Sequence, residues 1–215
     1  MTGTTLPAPL LLADNPALDL LNSLSAPWGT EIEWLGNGQD LLTWLGQAGL
    51  ISVEILGGFK LRSSPEDLDQ VATEVRKLRE WFRNFVAVYA GQHLTSSALD
   101  ELGKINRLLA EDQSYRQIEP RAPAHQNNTP EEMMLIWKQE RNWRTPMDLL
   151  LPIAESMGDL ICNTDFARIK NCEGQTCTMW FRDVSKNHTR RWCSMAVCGN
   201  RAKAAAHRGK KRSAQ

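Results

Sequence analysis

Four cysteines near the C-terminal end of the sequence have the type and spacing of a metal site. Cys172 and Cys177 are separated by four residues, as are Cys193 and Cys198, and fifteen residues lie between the two pairs. A tetrahedral Zn²⁺ ion takes four thiolates at about 2.3 Å, and two closely spaced pairs joined by a hairpin-length segment can supply them. The spacing therefore predicts a structural Zn²⁺ site, with no open coordination position for catalysis.

Buried thiols and disulfide bonds are the alternatives for these cysteines. Disulfide bonds are rare in the cytosol, and four core thiols are not expected in so polar and basic a segment. His188 and His207 could compete as ligands, but four cysteines complete the site and leave both histidines for solvent or phosphate. Cys162 lies upstream in an apolar helical pattern, and we expect it to pack as a small hydrophobe.

Charge is distributed very unevenly along a chain whose formal net charge is zero. Residues 160–215 carry twelve Lys and Arg residues against three acidic residues, and residues 1–159 carry thirteen against twenty-two. Such asymmetry is typical of a basic module that meets a polyanion, joined to an acidic body with another role. The basic segment also contains the four spaced cysteines.

Length and composition exclude several classes of protein. A chain of 215 residues with 42% hydrophobic and 23% charged residues is typical of one or two globular domains. No apolar run reaches the roughly 18 residues of a membrane span. The first fifteen residues have no basic residue before their short apolar stretch, so we expect no secretory signal and a cytoplasmic location.

Several segments carry the apolar periodicity and the end signals of helices. The clearest begins with Ser64 and Pro65 and keeps an apolar face up to Gly91. Where the period fades, segments 115–118 and 134–137 predict a β-hairpin with a long connection. The pattern therefore predicts a mainly α fold with a small β-hairpin, an α+β class. The expected helices cover 16–24, 40–48, 64–91, 96–109 and 146–169, with Pro152 as a kink or the true start of the last.

The segment around the cysteines has its own local pattern. We expect a turn over 173–176, a strand over 178–182, a polar turn over 183–188 and a return strand over 190–192. The residues after Cys193, from 194 to 208, favour a helix. A hairpin followed by a helix can present the two cysteine pairs to one ion.

The residues from 190 to 203, with the run Cys198-Gly199-Asn200-Arg201, closely resemble the CGNR zinc finger. In that family the finger follows a mostly helical domain named ABATE, in proteins described as stress-induced transcription regulators. The body is similar to that domain at 17–23, which resembles its opening Leu-Asp-Phe-x-Asn-Thr motif, and at 40–45 and 75–80. The resemblance implies an ABATE-like helical domain over 1–168 and a finger with a basic C-terminal helix over 169–215.

Basic residues around the proposed metal core are candidates for contact with DNA. Arg can reach guanine edges with two hydrogen bonds, whereas Lys mainly neutralises phosphates. A solvated basic helix end is the alternative, because the helix dipole also favours Lys and Arg there. Trp180 and Trp192 could stack on bases, but we expect them to cover the metal core. The candidate DNA contacts are Arg190, Arg191, Asn200, Arg201, Lys203 and Arg208.

The acidic body offers no specific ligand residues, so we leave its ligand-binding site unassigned. A helical domain joined to a finger can sense a small-molecule effector or form a homodimer. Asp19 and Asn22 share a helix face, as do Arg76, Arg79 and Arg83, and we expect both sets to be structural.

The sequence as a whole indicates a zinc-finger transcription regulator that binds DNA. The alternative is a zinc-stabilised module that binds RNA or a protein. A third hypothesis, an enzyme acting on a small molecule, has little support because the sequence contains no phosphate-binding loop, HExxH or GxSxG motif. We therefore expect no catalytic residues and no enzymatic activity.

Overall fold

The computed structural model describes residues 7–121 and 134–212, with the side chains of those residues up to 208. Helices dominate these ranges, which confirms the predicted class. None of these helices is long and apolar enough to cross a membrane. The α-helices are α1 (Pro16–Asn22), α2 (Gly38–Gln47), α3 (Val53–Arg62), α4 (Pro65–Tyr89), α5 (Gly103–Leu109), α6 (Leu151–Asn163) and α7 (Asn200–Arg212).

The helices begin where their capping residues place them. The side chain of Asn15 accepts a hydrogen bond of 2.8 Å from the backbone N–H of Ala17, and Pro16 follows as the first residue of α1. At α4, Ser64 and Asp67 each accept a hydrogen bond from the other's backbone N–H, which forms a capping box. These caps satisfy N–H groups that have no partner within the helix.

Short strands pair in three separate antiparallel sheets. The predicted hairpin is present, with Ile118 directly opposite Trp137, and part of its connection lies outside the described residues. The small pair that follows α1 was not predicted, because two-residue strands carry no periodicity. The strands are β1 (Leu24–Ser25) with β2 (Ile32–Glu33), β3 (Ser114–Pro120) with β4 (Leu135–Arg141), and β5 (Ile169–Asn171) with β6 (Trp180–Arg182).

One hydrophobic core runs from the helical body into the cysteine-rich segment. Leu18 and Leu21 of α1 are completely buried, and α1 packs against α4, α6 and β6. Met179 and Phe181 are also completely buried and belong to the same cluster. Helix α1 therefore contacts both the other helices of the body and the C-terminal segment.

One predicted element was wrong, and two predicted helices differ from the structure only in their bounds. Residues 190–192 form no strand, and β6 pairs instead with β5, because the Asp183 carboxylate accepts the backbone N–H of Arg190 and curls this segment inward. The helix expected over 146–169 starts with a 3₁₀ turn (Pro146–Leu150), becomes α6 with Pro152 in its first turn, and ends at Asn163. The helix expected over 96–109 likewise starts as a 3₁₀ turn (Ser96–Leu102).

Candidate metal centre and nucleic-acid interface

The four spaced cysteines converge on one point. All four are buried, and their Sγ atoms lie within 4.8 Å of one another. The Sγ of Cys193 lies 3.9 Å from that of Cys177 and 3.6 Å from that of Cys198. Four thiolates at about 2.3 Å from a tetrahedral ion are about 3.8 Å apart, so the cluster has the dimensions of a metal site.

Local turns position each sulfur atom. Cys172 follows β5, and its backbone N–H donates to Met179 across the sheet. Cys177 closes a tight turn by donating to the carbonyl of Gly174 at 3.0 Å. A Cβ atom on Gly174 would lie 3.1 Å from the Sγ of Cys198, so glycine leaves room for the second pair of thiols.

The second cysteine pair spans the start of the last helix. Cys193 donates its backbone N–H to the Sγ of Cys172 at 3.2 Å. Cys198 lies in a π-helical turn (Met195–Gly199) that leads directly into α7. The side chain of Ser194 caps this turn by accepting the backbone N–H of Ala196. The turn therefore fixes one ligand and the direction of α7 together.

The surroundings of the cluster stabilise the thiolate of Cys172, whereas the same thiol hydrogen bonds raise the pKa of their donors, Cys177 and Cys193. Hydrogen bonds from the Cys177 and Cys193 thiols, and then from the backbone N–H groups of Cys193 and Gly174, hold the pKa of Cys172 well below its usual range. The guanidinium of Arg201 donates to the Sγ of Cys198 at 3.0 Å. Four buried sulfur ligands with N–H donors around them fit a soft divalent metal ion.

A buried carboxylate, Asp183, organises the loop between the two cysteine pairs. It accepts hydrogen bonds from Lys170 Nζ at 2.7 Å, from the Ser185 hydroxyl at 2.6 Å and from the Arg190 backbone N–H at 3.0 Å. Burial alone would raise the pKa of Asp183, but these donors hold it far below its usual range. Sequence reasoning missed this residue because a lone Asp in a polar turn carries no pattern.

Arg190 is held within the protein. Its guanidinium forms an ion pair with Asp14, donates to the Leu12 carbonyl at 3.0 Å and to the Trp192 carbonyl at 2.9 Å, and lies 4.3 Å from the centre of the Phe181 ring. These contacts give Arg190 a structural role in joining the N-terminal segment to the cysteine loop. Its predicted contact with DNA stays a prediction.

The other candidate DNA contacts lie on the surface. Arg191 pairs with Glu173 at 2.6 Å and lies over the Trp192 ring, and Arg201 donates to the carbonyls of Val197 and Pro27. The remaining three, on α7, are exposed and make no side-chain ion pair within the described ranges. These three residues are Asn200, Lys203 and Arg208.

Family models match both parts of the chain. Residues 14–164 match the family model named ABATE, "Putative stress-induced transcription regulator", and residues 168–211 match the CGNR zinc finger. The chain belongs to the ABATE family. The order of the two matches confirms the predicted resemblance. A search of curated proteins found no match.

Other residues singled out in the sequence have structural roles in this ABATE protein. Trp180 and Trp192 pack against the core, as expected. Asp19 accepts the backbone N–H of Ala13 at 3.0 Å. The expectation for Cys162 was wrong, because its position on α6 faces outward and the residue is exposed. His188 and His207 are both exposed and lie outside the cysteine cluster.

The three arginines on one face of α4 also serve the ABATE fold. Arg79 is 2% exposed and forms an ion pair of 2.6 Å with Glu33, which fixes β2 against the helix. Arg83 donates to the Leu21 carbonyl at 2.6 Å, and Arg76 donates to the Leu35 carbonyl. These contacts confirm the structural interpretation of the arginine face.

The CGNR finger docks tightly on the ABATE helices. The side chain of Asn22 both donates to the Trp180 carbonyl and accepts the Trp180 backbone N–H, each at 2.8 Å. Two further hydrogen bonds cross the same boundary, from Ala26 to Thr178 Oγ1 and from Arg182 to the carbonyl of Ala13. The division of the chain at residue 168 stays a prediction, but the packing across it is continuous.

A cleft of about 770 Å³ opens in the ABATE domain at the start of α1. Its size is typical of small-molecule sites. Asn15 and Pro16, at the start of α1, form part of its wall, and the exposed Cys162 lines it from α6. The buried Nε1 of Trp143, another lining residue, has no hydrogen-bond partner among the described residues. The sequence missed this cleft because its residues come from five distant segments.

Proposed function

We propose that this protein is a cytoplasmic transcription regulator that binds DNA through helix α7 of its CGNR finger. The proposal places Zn²⁺ at Cys172, Cys177, Cys193 and Cys198. It gives the ABATE domain the role of a small-molecule sensor or a homodimer interface, and it assigns no catalytic step to the chain. The family description supports regulation of transcription, and the exposed basic helix that follows the metal cluster supports DNA as the target.

The observation that carries the proposal is the attachment of an exposed basic helix to the metal cluster. Helix α7 begins two residues after Cys198, so an ion held by that thiol fixes the first turn of the helix. Lys203 and Arg208 extend from α7 into solvent with no acidic partner in the described ranges. A rigid helix with unpaired positive charge fits the phosphate-lined groove of a duplex.

The structure divides the basic residues by role. Arg190 holds the finger together, and Arg201 holds the start of α7 against the Pro27 carbonyl and the Cys198 sulfur. We infer that Lys203 and Arg208 make the main DNA contacts, Lys203 to phosphate and Arg208 to phosphate or a guanine edge. Asn200 and Arg191 lie at the base of the helix, where they can contact the backbone.

Zn²⁺ would cross-link the two cysteine pairs and so hold the hairpin and α7 in one orientation. The chain itself supplies the rest of that orientation, through the Asp183 network and the packing of β6 on α1. The role of the metal in this proposal is structural, because four thiolates leave no coordination position for a substrate.

The proposed sensor site is the cleft of the ABATE domain. Asn15, at the N-terminal end of α1, lines the cleft, and Asn22, at the other end, binds the backbone of Trp180 in the finger. A ligand that shifts α1 would therefore act on the finger through a helix of seven residues. This route favours an effector role for the cleft.

The test is DNA binding by zinc-loaded protein, with its salt dependence measured for matched variants. Selection of genomic fragments identifies a preferred duplex, and fluorescence anisotropy then gives Kd for that duplex and for an RNA of the same length. Lys203→Ala combined with Arg208→Ala should weaken DNA binding and reduce the slope of log K against log salt by about 2, since each lost phosphate contact contributes about 0.9.

The matched control removes the same charge from the body, with Lys60→Ala and Lys104→Ala at exposed positions of α3 and α5. This control should bind DNA as the unmodified protein does. An equal loss of DNA affinity in both variants would mean that net charge alone causes the effect, and it would refute the assignment of the DNA contacts to α7. Tighter binding to RNA, or no binding to either nucleic acid, would favour the RNA-binding or protein-binding alternative.

A further inference from the structure

Strand β4 and the residue before it expose a run of apolar side chains. Met134, Leu135, Ile136 and Trp137 are consecutive, and all four are exposed, Trp137 to 67%. The strand pairs only with β3 among the described residues, so its outer edge has no strand partner there. A two-stranded hairpin alone is marginally stable in water, and an exposed apolar edge strand is a template for pairing.

The register of the hairpin places two of these side chains, those of Leu135 and Trp137, on one face with two residues of β3. Ile118 lies directly opposite Trp137, and Pro120 lies directly opposite Leu135, so the four residues form one apolar quartet. Ile118 and Leu135 are 59% and 57% exposed. Directly opposite residues of an antiparallel pair point to the same side of the sheet, which makes this surface continuous.

The two edges of the hairpin differ in how they are protected. The edge of β3 contains Pro120, which has no N–H to donate, and the charged residues Arg116 and Glu119. Proline and charges are the usual devices that keep an edge strand from pairing. Strand β4 carries its charges, Lys138, Glu140 and Arg141, in its second half and has neither device from residue 134 to 137, so the first half of β4 is the edge suited to association.

We propose that β4 pairs with β4 of a second copy of this chain, antiparallel about a two-fold axis at Ile136. The inference rests on the dimerisation alternative within the proposed function and gives it a site. In the assembly, β3 and β4 of both copies form one four-stranded sheet, in which the two apolar quartets lie on the same face.

The apolar run matches itself in this register, which favours a second copy over an unrelated protein. A two-fold axis at Ile136 places Leu135 opposite Trp137 of the partner subunit, and Ile136 opposite Ile136 of the partner subunit. Apolar residues then meet at the three central positions of the new strand pair. Lys138 keeps its ion pairs with Glu119 and Glu140 of its own copy at the edge of the contact.

The new strand pair makes a contact smaller than a standard interface. It covers only the sides of Leu135, Ile136 and Trp137 that face the partner strand, which is less than the roughly 800 Å² per partner of a standard interface. The added backbone hydrogen bonds of a strand pair contribute to the same contact. We expect dissociation in the micromolar range, so the dimer population depends on protein concentration.

The experiment measures mass by sedimentation equilibrium of the zinc-loaded full chain between 1 and 100 µM. The unmodified protein should approach twice its chain mass of 24.2 kDa, and Trp137→Lys should remain at the mass of one chain. Leu61→Lys is the matched control, because Leu61 is an apolar residue that is 89% exposed on another element, α3. This control should dimerise normally.

Hydrogen exchange locates the contact within the chain. Backbone amides of residues 135–137 should exchange more slowly at 100 µM than at 1 µM, while those of α3 should not change. Ile136→Lys, which places two like charges opposite each other at the two-fold axis, provides a second variant if Trp137→Lys fails to fold, as judged by circular dichroism. A monomer at 100 µM, a dimer that survives both substitutions, or protection confined to another surface would overturn the proposal.

DNA binding separates this inference from the proposed function. A monomeric Trp137→Lys protein should still bind a single half-site with the affinity of the unmodified chain, because α7 is unaffected. A variant that loses dimerisation but keeps half-site binding therefore tests only the β4 contact. A protein that dimerises but does not bind DNA counts only against the proposed function.

Discussion

Asn22 is the most informative position for testing how the CGNR finger is attached. Its side-chain amide donates one hydrogen bond and accepts another, both at 2.8 Å and both with the backbone of Trp180. Asn22 is 3% exposed, so water cannot easily replace it. The substitution Asn22→Ala removes both hydrogen bonds and leaves two backbone groups of β6 without partners.

The expected loss in the free energy of unfolding follows from these two hydrogen bonds. Each contributes about 1 kcal/mol to stability, and a buried group left without a partner costs about 1–3 kcal/mol. The backbone of Trp180 is only partly buried, so we take the lower part of that range. We expect Asn22→Ala to reduce the free energy of unfolding by about 2–3 kcal/mol, which lowers Tm by roughly 5–10 °C for a chain of this length.

The assay is urea unfolding of zinc-loaded protein, followed by tryptophan fluorescence and by circular dichroism. Asn163→Ala is the matched control, because Asn163 is the last residue of α6 as Asn22 is of α1, but it is exposed and bonds only to Asp159. This control should change stability by less than about 0.5 kcal/mol. An equal and small effect of both substitutions would refute the view that Asn22 clamps β6 to the body.

Three further predictions concern other parts of the chain. Cys193→Ser should abolish binding of one metal equivalent, measured by atomic absorption, whereas Cys162→Ser should retain it, because Cys193 belongs to the cluster and Cys162 does not. Burial raises the pKa of Asp19 to about 6 from 3.8, so its contribution to stability is present below pH 4 and lost as pH rises through 6. Asp19→Asn should remove up to about 3 kcal/mol of that dependence in urea titrations at pH 4 and pH 7. Gly38→Ala should destabilise by more than 2 kcal/mol in thermal unfolding, because its Cβ would lie 2.5 Å from the carbonyl carbon of Leu68, and unchanged stability would contradict that close approach.

Elements with strong local signals were predicted well from the sequence. The cap at Ser64 and the apolar face that follows it predicted α4, which begins at Pro65 as the structure has it. The hairpin was recognised because its segments break the helical period. Helix α3 was missed, since Gly57 and Gly58 weaken its pattern and only Leu56 and Phe59 are buried. The start of α6 was not predicted accurately, because the 3₁₀ turn before it continues the same apolar pattern.

The metal cluster could be predicted from the sequence, but the contacts that position the segment around it could not. Cysteine spacing carries its own information, because four thiols at short intervals have few uses other than a metal site. The partner of β6 depends on Asp183, whose carboxylate draws the backbone of Arg190 away from a strand path. Contacts between residues far apart in sequence, such as Asn22 with Trp180, leave no periodic pattern that a single sequence shows.

The shared core has a consequence for regulation. Met179 and Phe181 of the finger are fully buried in the same cluster as the leucines of α1, so the finger has part of its hydrophobic support in the ABATE domain. Loss of metal should therefore weaken the body as well as the finger, and a change in α1 should alter the orientation of α7. Under the proposed function, a signal from the cleft to α7 therefore needs no flexible linker, because α1 contributes to the cleft wall and also packs against β6 of the finger.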